Sequence, residues 1–207
     1  MRFWVAVALL LAAGPGAVAG EDAWQLLDEF RRHLRAESPL RASFTQTFVP
    51  AGFSTGEKES GRMALALPDC LRWDYDEPYA KSFLLCGDVF HYWNPGEDEG
   101  HIEEIEAERE PGLDLLLLEV SQLQERYEAE LVAGERRMRE IRLRPREAND
   151  YVAEAALVLD RGLERLLFLR YVDPEGSVTE FAISGWKKGA ENGTFNPPEG
   201  VEWLEEW

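Results

Sequence analysis

Apolar and polar residues alternate in steps of two through segment after segment of this chain. Phe44, Gln46 and Phe48 alternate with Ser43, Thr45 and Thr47. Met63, Leu65 and Leu67 alternate with the small Ala64 and Ala66. Leu71, Trp73 and Tyr75 alternate with Cys70, Arg72 and Asp74, and Phe83 and Leu85 with Ser82, Leu84 and Cys86. Successive side chains on a strand point to opposite faces, so this period predicts strands with one apolar face. Phe90 to Trp93 is a further aromatic strand. The pattern returns from Tyr127 and continues through 151–159, 163–171 and 178–186. Turn sequences such as Asp76-Glu77-Pro78-Tyr79, Gly87-Asp88 and Asp173-Pro174-Glu175-Gly176 separate the runs.

Two segments have the helical period instead. Over residues 22–36, Trp24, Leu27, Phe30 and Leu34 share one face, with Asp22 as cap. Asp28, Arg31, Arg32 and Arg35 are assigned to the opposite, polar face. Leu113, Leu116, Leu117 and Val120 form a second helix, which Leu115 and Leu118 widen. Between strand and helix, residues 95–110 are strongly acidic and read as loop. The expected fold is therefore mainly β with two helices: one curved antiparallel sheet of about ten strands in meander order.

Such a sheet poses a volume problem. Its inward set is Phe44, Phe48, Met63, Leu65, Leu67, Leu71, Trp73, Phe83, Leu85 and Phe90. A curved sheet of that length encloses more space than one layer of side chains fills. Two helices can fill the space as ordinary core, or roof it and leave an apolar cavity that accepts apolar ligands. The pattern alone leaves both readings open.

The N-terminus reads as an address. Met1-Arg2 precedes an apolar run, Phe3 to Ala13, broken by Gly14-Pro15-Gly16 and followed by Ala17-Val18-Ala19. This is the layout of a secretory signal peptide over 1–19, leaving one exported domain over 20–207. The run falls short of the ~20 residues a membrane-spanning helix needs. In an oxidising compartment Cys70 and Cys86 can stay paired, and a hairpin centred on residue 78 sets them opposite each other. That disulfide would contribute about 3 kcal/mol on the chain-entropy account.

Charge narrows the functional classes. The chain has 40 acidic and 22 basic residues, a net charge of −18. Nucleic-acid binding needs clustered cations, so a nucleic-acid partner is not expected. Two cysteines and three histidines are too few for a Cys/His zinc cluster. Gly52-Phe53-Ser54-Thr55-Gly56 matches the G-x-S-x-G pattern, but an alternating strand follows it rather than the helix a nucleophile elbow needs. A Ser54 hydrolase is the weakest reading, and no catalytic residue is expected. His101-x-Glu103-Glu104 reads as solvated charge, not as metal ligands.

The residues taken in order resemble a known family. Ser43-Phe44-Thr45-Gln46, Gly61, Pro68, Leu71-Arg72-Trp73-Asp74-Tyr75, Pro78, Cys86-Gly87-Asp88, Tyr92-Trp93-Asn94-Pro95 and Phe195-x-x-Pro198-x-Gly200-Val201 are similar to the periplasmic outer-membrane lipoprotein carriers of the LolA type. The resemblance implies an open β-barrel whose apolar cavity takes lipoprotein acyl chains under a helical lid. It implies an inner-membrane ATP-driven exporter that loads the carrier and an outer-membrane receptor that unloads it, with neither cofactor, metal nor catalysis. The lid contacts would be Trp24, Leu27 and Phe30 on the first helix and Leu116, Leu117 and Val120 on the second, in a protein expected to work as a monomer. Two departures stand out. The family commonly has an arginine before the proline of the second strand, where it holds the lid shut, and here that position is Leu67. The Cys70–Cys86 pair is not a general family feature. A second reading is a periplasmic sensor of the same fold that binds lipoproteins and controls a regulator.

Overall fold

The computed structural model describes residues 22–105, 113–132, 138–148 and 150–205. Residues 1–19, where a signal peptide is expected, lie outside them. The first helix, α1, is Ala23–Glu37. The Asp22 carboxylate caps it, accepting from the Trp24 backbone N–H at 3.0 Å, and Pro39 follows its end, where a helix cannot continue. Strands β1 (Leu40–Val49), β2 (Glu57–Ala66), β3 (Cys70–Glu77), β4 (Lys81–Cys86), β5 (Val89–Trp93) and β6 (Glu99–Glu104) come next. Two short helices, α2 (Leu113–Leu117) and α3 (Val120–Arg126), then lead into β7 (Tyr127–Val132), β8 (Met138–Pro145), β9 (Glu154–Asp160), β10 (Leu166–Val172) and β11 (Val178–Lys188). A last strand, β12, is Glu202–Glu205.

Among the described residues these strands make one sheet of 12, ordered β12-β6-β5-β4-β3-β2-β1-β11-β10-β9-β8-β7. It is two meanders joined side by side, because β1 pairs with both β2 and β11. Strands β7 and β12 are the unpaired margins, so the sheet is open rather than closed. The link from β6 to β7 runs between strands of opposite halves, and it carries α2 and α3 with it. Buried residues of both halves, Leu40, Leu65 and Leu71 with Ile141, Leu157 and Leu159, belong to one core cluster. A flat sheet of this width could not bring them together; the sheet curls, and its concave face holds the core.

Two expectations are corrected here. The second helix is in fact two: Glu119 leaves the helical conformation (φ −63°, ψ 151°) and starts α3 with a reciprocal capping box to Gln122. The loop assigned to 95–110 contains β6. That strand is too polar to be recognised by an apolar face; it is held by its neighbours, antiparallel to β5 and parallel to β12. Gly100 is required there, since a Cβ would come within 2.7 Å of the Trp203 ring.

The convex face is also covered, over β3 to β5, by the C-terminal segment. Leu84, on the outward side of its strand, is buried, as is Trp93. Arg72 points outward as its alternation requires. It donates to Thr194 O at 2.9 Å, grips Asp74 and lies 5.2 Å over the Trp93 ring. Cys70 pairs directly with Cys86 in the ladder, and the two form the disulfide.

Candidate functional site

Register places the concave residues in rows across the strands. Leu40, Leu65, Leu71, Leu85 and Phe90 form the deepest row. Ala42, Met63, Trp73, Phe83 and Tyr92 form the next, then Phe44, Gly61, Tyr75 and Lys81. Gln46, Glu59 and Phe181 follow, and Phe48 with Glu57 and Thr179 ends the series. Burial is deepest in the first row. The four leucines of the first row are at most 1% exposed, whereas Trp73, Phe83, Phe90, Tyr92 and Tyr75 are half-buried and Phe48 is 38% exposed.

The half-buried rings join, through the buried Phe44, into a continuous ribbon. Phe181 meets Phe44 (5.9 Å between centroids) and Phe44 meets Tyr75 edge-on (4.9 Å). Tyr75 meets Phe83 (5.8 Å), and Phe83 stacks on both Phe90 (5.8 Å) and Tyr92 (5.0 Å). Gly61 makes the Phe44–Tyr75 contact possible, because it is the β2 residue between them. A Cβ there would sit 2.0 Å from Asp74 O.

The helices lie on the deep end. Leu27 and Phe30 are 0% and 2% exposed and share the core cluster with Leu65 and Leu71. The expected hollow is therefore filled by α1 at this end; the uncovered apolar surface is the aromatic ribbon beyond it. Leu116 is buried, and Trp24, Leu117 and Val120 pack half-buried against the same cluster. Leu67 does so too, and its backbone N–H donates to Ser38 Oγ at 2.9 Å.

One residue overturns its assignment. Arg31, placed by periodicity on the polar face of α1, is 6% exposed. Its guanidinium donates to the backbone carbonyls of Leu115 (2.9 Å) and Leu116 (3.2 Å) near the end of α2. Helix ends leave such carbonyls without intrahelical partners, which is why a cation fits there. One turn on, Arg35 bonds Glu119, the cap of α3. The missing signal was available: Arg31 is four residues after Leu27 and three before Leu34, within the apolar stripe. Burial, with the nearby Arg35 charge, pushes the Arg31 guanidinium down from 12.5 to about 10. The charge is thus costly to keep there, and the two carbonyls offset that cost. Arg35 holds the Glu119 carboxyl below its ordinary 4.5.

Polar groups border the ribbon. Tyr75 donates its hydroxyl to Gln46 Oε1 at 2.5 Å. Lys81 Nζ lies 2.7 Å from Glu59 Oε1 and 4.4 Å over the Tyr75 ring. Burial and the Glu59 charge raise the Tyr75 pKa, so its hydroxyl keeps its proton.

Other candidates stay apart. Ser54 is exposed in the β1–β2 loop, with a strand after it. His101 stacks on Tyr92 at 6.0 Å; no group of three or more His, Cys, Asp or Glu among the described residues is placed to hold a metal. A cavity of about 600 Å³ lies on the convex side, under residues 190–194, lined by Arg41, Arg62, Arg72, Asp74 and Trp93. No described helix is long and apolar enough to cross a membrane.

Comparison with known proteins fits this geometry. The sequence family described as "Outer membrane lipoprotein carrier protein LolA" matches residues 37–196. A protein of Xanthomonas campestris pv. campestris (strain B100), named outer-membrane lipoprotein carrier protein, is 28% identical over 200 residues, 94% of each chain. Among solved structures, an uncharacterised conserved protein from Thermus thermophilus superposes with a TM-score of 0.59 at 12% identity, covering 89% of this chain and 99% of that one. The MucA/MucB complex of Pseudomonas aeruginosa matches with a TM-score of 0.52 at 14% identity, over 88% of this chain and 63% of that one. At these identities the structural matches establish the fold alone.

Proposed function

This chain belongs to the LolA family of outer membrane lipoprotein carriers, and on that premise we propose that it carries lipoproteins across the periplasm by sheltering their acyl chains on its concave face. The observation that carries the reading is the half-buried aromatic ribbon, continuous with a deep end occupied by helices rather than by further strands. Acyl chains extend the ribbon inward as α1, α2 and α3 lift from Leu65 and Leu71. From Gln46 to Leu40 the β1 face runs six residues, about 20 Å at strand spacing. That compares with the ~15 Å of hydrocarbon in one leaflet of a bilayer.

The energetics require such a shelter. Each methylene costs about 0.8 kcal/mol in water relative to an apolar site. Two or three acyl chains, on the order of 30 to 45 methylenes, therefore face roughly 25 to 35 kcal/mol when bare. A carrier needs only a comparable environment and a way to give the chains up. Without cargo, Leu27 and Phe30 occupy the place of the chains, so the site never exposes a large apolar surface. Arg31 and Arg35 hold the helices down, in the role the family gives to an arginine at the position of Leu67. Loading exchanges helix side chains for acyl chains, and the helices become the lid.

In this reading the signal segment directs export to the periplasm. An inner-membrane ATP-driven exporter supplies the cargo, an outer-membrane receptor accepts it, and the protein acts as a monomer without catalysis. Acidic residues of β6 and β12, among them Glu99, Glu103, Glu104 and Glu202, favour docking to basic partner surfaces. Native mass spectrometry of the protein isolated from the periplasm tests the proposal: co-purified lipid or acylated polypeptide is expected, and a bare polypeptide mass from every preparation contradicts it. A second reading, a regulator of the same fold, is favoured by the likeness to MucB, whose solved complex contains MucA. Capture of a membrane-anchored regulator in place of an exporter would select it.

A further inference from the structure

The polar border of the ribbon has hydrogen-bond donors to spare. Gln46 Oε1 is taken by the Tyr75 hydroxyl, which leaves the two N–H groups of the Gln46 amide for another partner. The Lys81 ammonium has three donors; one goes to Glu59 and one faces the Tyr75 ring. The third is unspent. Glu59 fixes the ammonium and cancels its charge, so the group recognises an acceptor more than an anion. All four residues lie on adjacent rows of the concave face, directly outside the Trp73–Phe83 row. A lipid whose chains run inward along the rings would therefore set its chain-to-head junction against these donors.

We propose that Gln46, Tyr75, Lys81 and Glu59 form a subsite for the ester carbonyls of a diacylglyceryl group, so that the protein selects ester-linked diacyl cargo by its junction and not by hydrocarbon alone. This rests on the carrier reading and deepens it. Lys81 and Gln46 donate to the two ester carbonyl oxygens; Tyr75 and Glu59 position the donors. The ring face of Tyr75 packs against the first methylenes of the chains. The same ester chemistry occurs in phospholipids and in the diacylglyceryl-cysteine of an acylated peptide. The peptide is the committed ligand, because its head continues through an uncharged amide backbone where a phospholipid has a phosphate, and a pre-neutralised Lys81–Glu59 pair offers no net charge to that phosphate.

The test compares delipidated full-length mature protein with three probes: a peptide carrying dipalmitoylglyceryl-cysteine, the same peptide with ether-linked chains, and dipalmitoyl phosphatidylglycerol. The expected preference for ester over ether peptide is about tenfold, the worth of one to two net hydrogen bonds. Gln46→Leu and Lys81→Met each reduce that ester-to-ether preference toward unity, a ratio that holds whatever either variant does to overall affinity. Equal affinity of wild-type protein for ester and ether peptides overturns the subsite but leaves the carrier reading intact. Ester selection seen with the phospholipid and not with the peptide overturns the peptide assignment. Failure of all three probes to bind overturns both readings.

Discussion

Arg31 changes what this chain needs from its sequence. The position where the family commonly has an arginine holds Leu67, and the cation that reaches the helix carbonyls instead comes from α1. Because burial already disfavours the charge, the contact is strong in geometry and modest in net free energy. That combination suits a catch that must open. Replacing Arg31 by Met keeps much of the apolar stem and removes both bonds to α2. With about 1 kcal/mol net for the lost pair, uptake of a fluorescent acyl probe should accelerate roughly tenfold or less. Stopped-flow fluorescence measures it, and an unchanged rate would show that Arg31 does not restrain the helices. The residue also marks where reading by type fails. Its spacing from Leu27 and Leu34 put it on the buried stripe, but arginine is seldom buried without partners, and its partners are on α2, out of reach of any local pattern.

At the scale of elements, the strands with an apolar face were legible and the others were not. β1 to β5 declare themselves by alternation, and the Cys70–Cys86 pairing follows from hairpin symmetry. β6 has little apolar face of its own and depends on β5 and Trp203. The break between α2 and α3 was hidden by Leu115 and Leu118, which keep the apolar pattern running while Glu119 caps a new helix. The concave residues of β1 to β5 were legible; that α1 fills their deep end was not, because volume is a property of the assembled sheet. The α1–α3 clamp carries its own pH signature. Glu119 titrates below its ordinary value of 4.5 because Arg35 bonds its carboxylate. A folded pKa below the unfolded one contributes stability that is complete above about 4.5 and is lost as the pH falls through the lowered value. Glu119 is exposed, so the effect is at most about 1 kcal/mol. Melting temperatures of wild type and Glu119→Gln should differ slightly at neutral pH and converge once the pH falls below the lowered Glu119 value. A gap that persists at acid pH would show that the clamp is not an ionised pair.

For the whole molecule, one open sheet offers two faces of different character. The outer one carries a cavity of about 600 Å³ that mixes arginines with carboxylates. The inner one is lined by rings and leucines and is occupied in part by α1. The inner surface is the one suited to replace the water around an acyl chain with apolar contacts, and the proposed mechanism requires its helices to have an emptied as well as a filled state. The measurement that bears most directly on this is uptake of a fluorescent fatty acyl probe by delipidated protein, compared between Phe83→Asp on the inner face and Arg62→Ala on the outer one. Saturable binding that Phe83→Asp abolishes and Arg62→Ala leaves intact is the predicted result. Absence of binding by wild-type protein, or binding that Phe83→Asp leaves unchanged, would contradict the account.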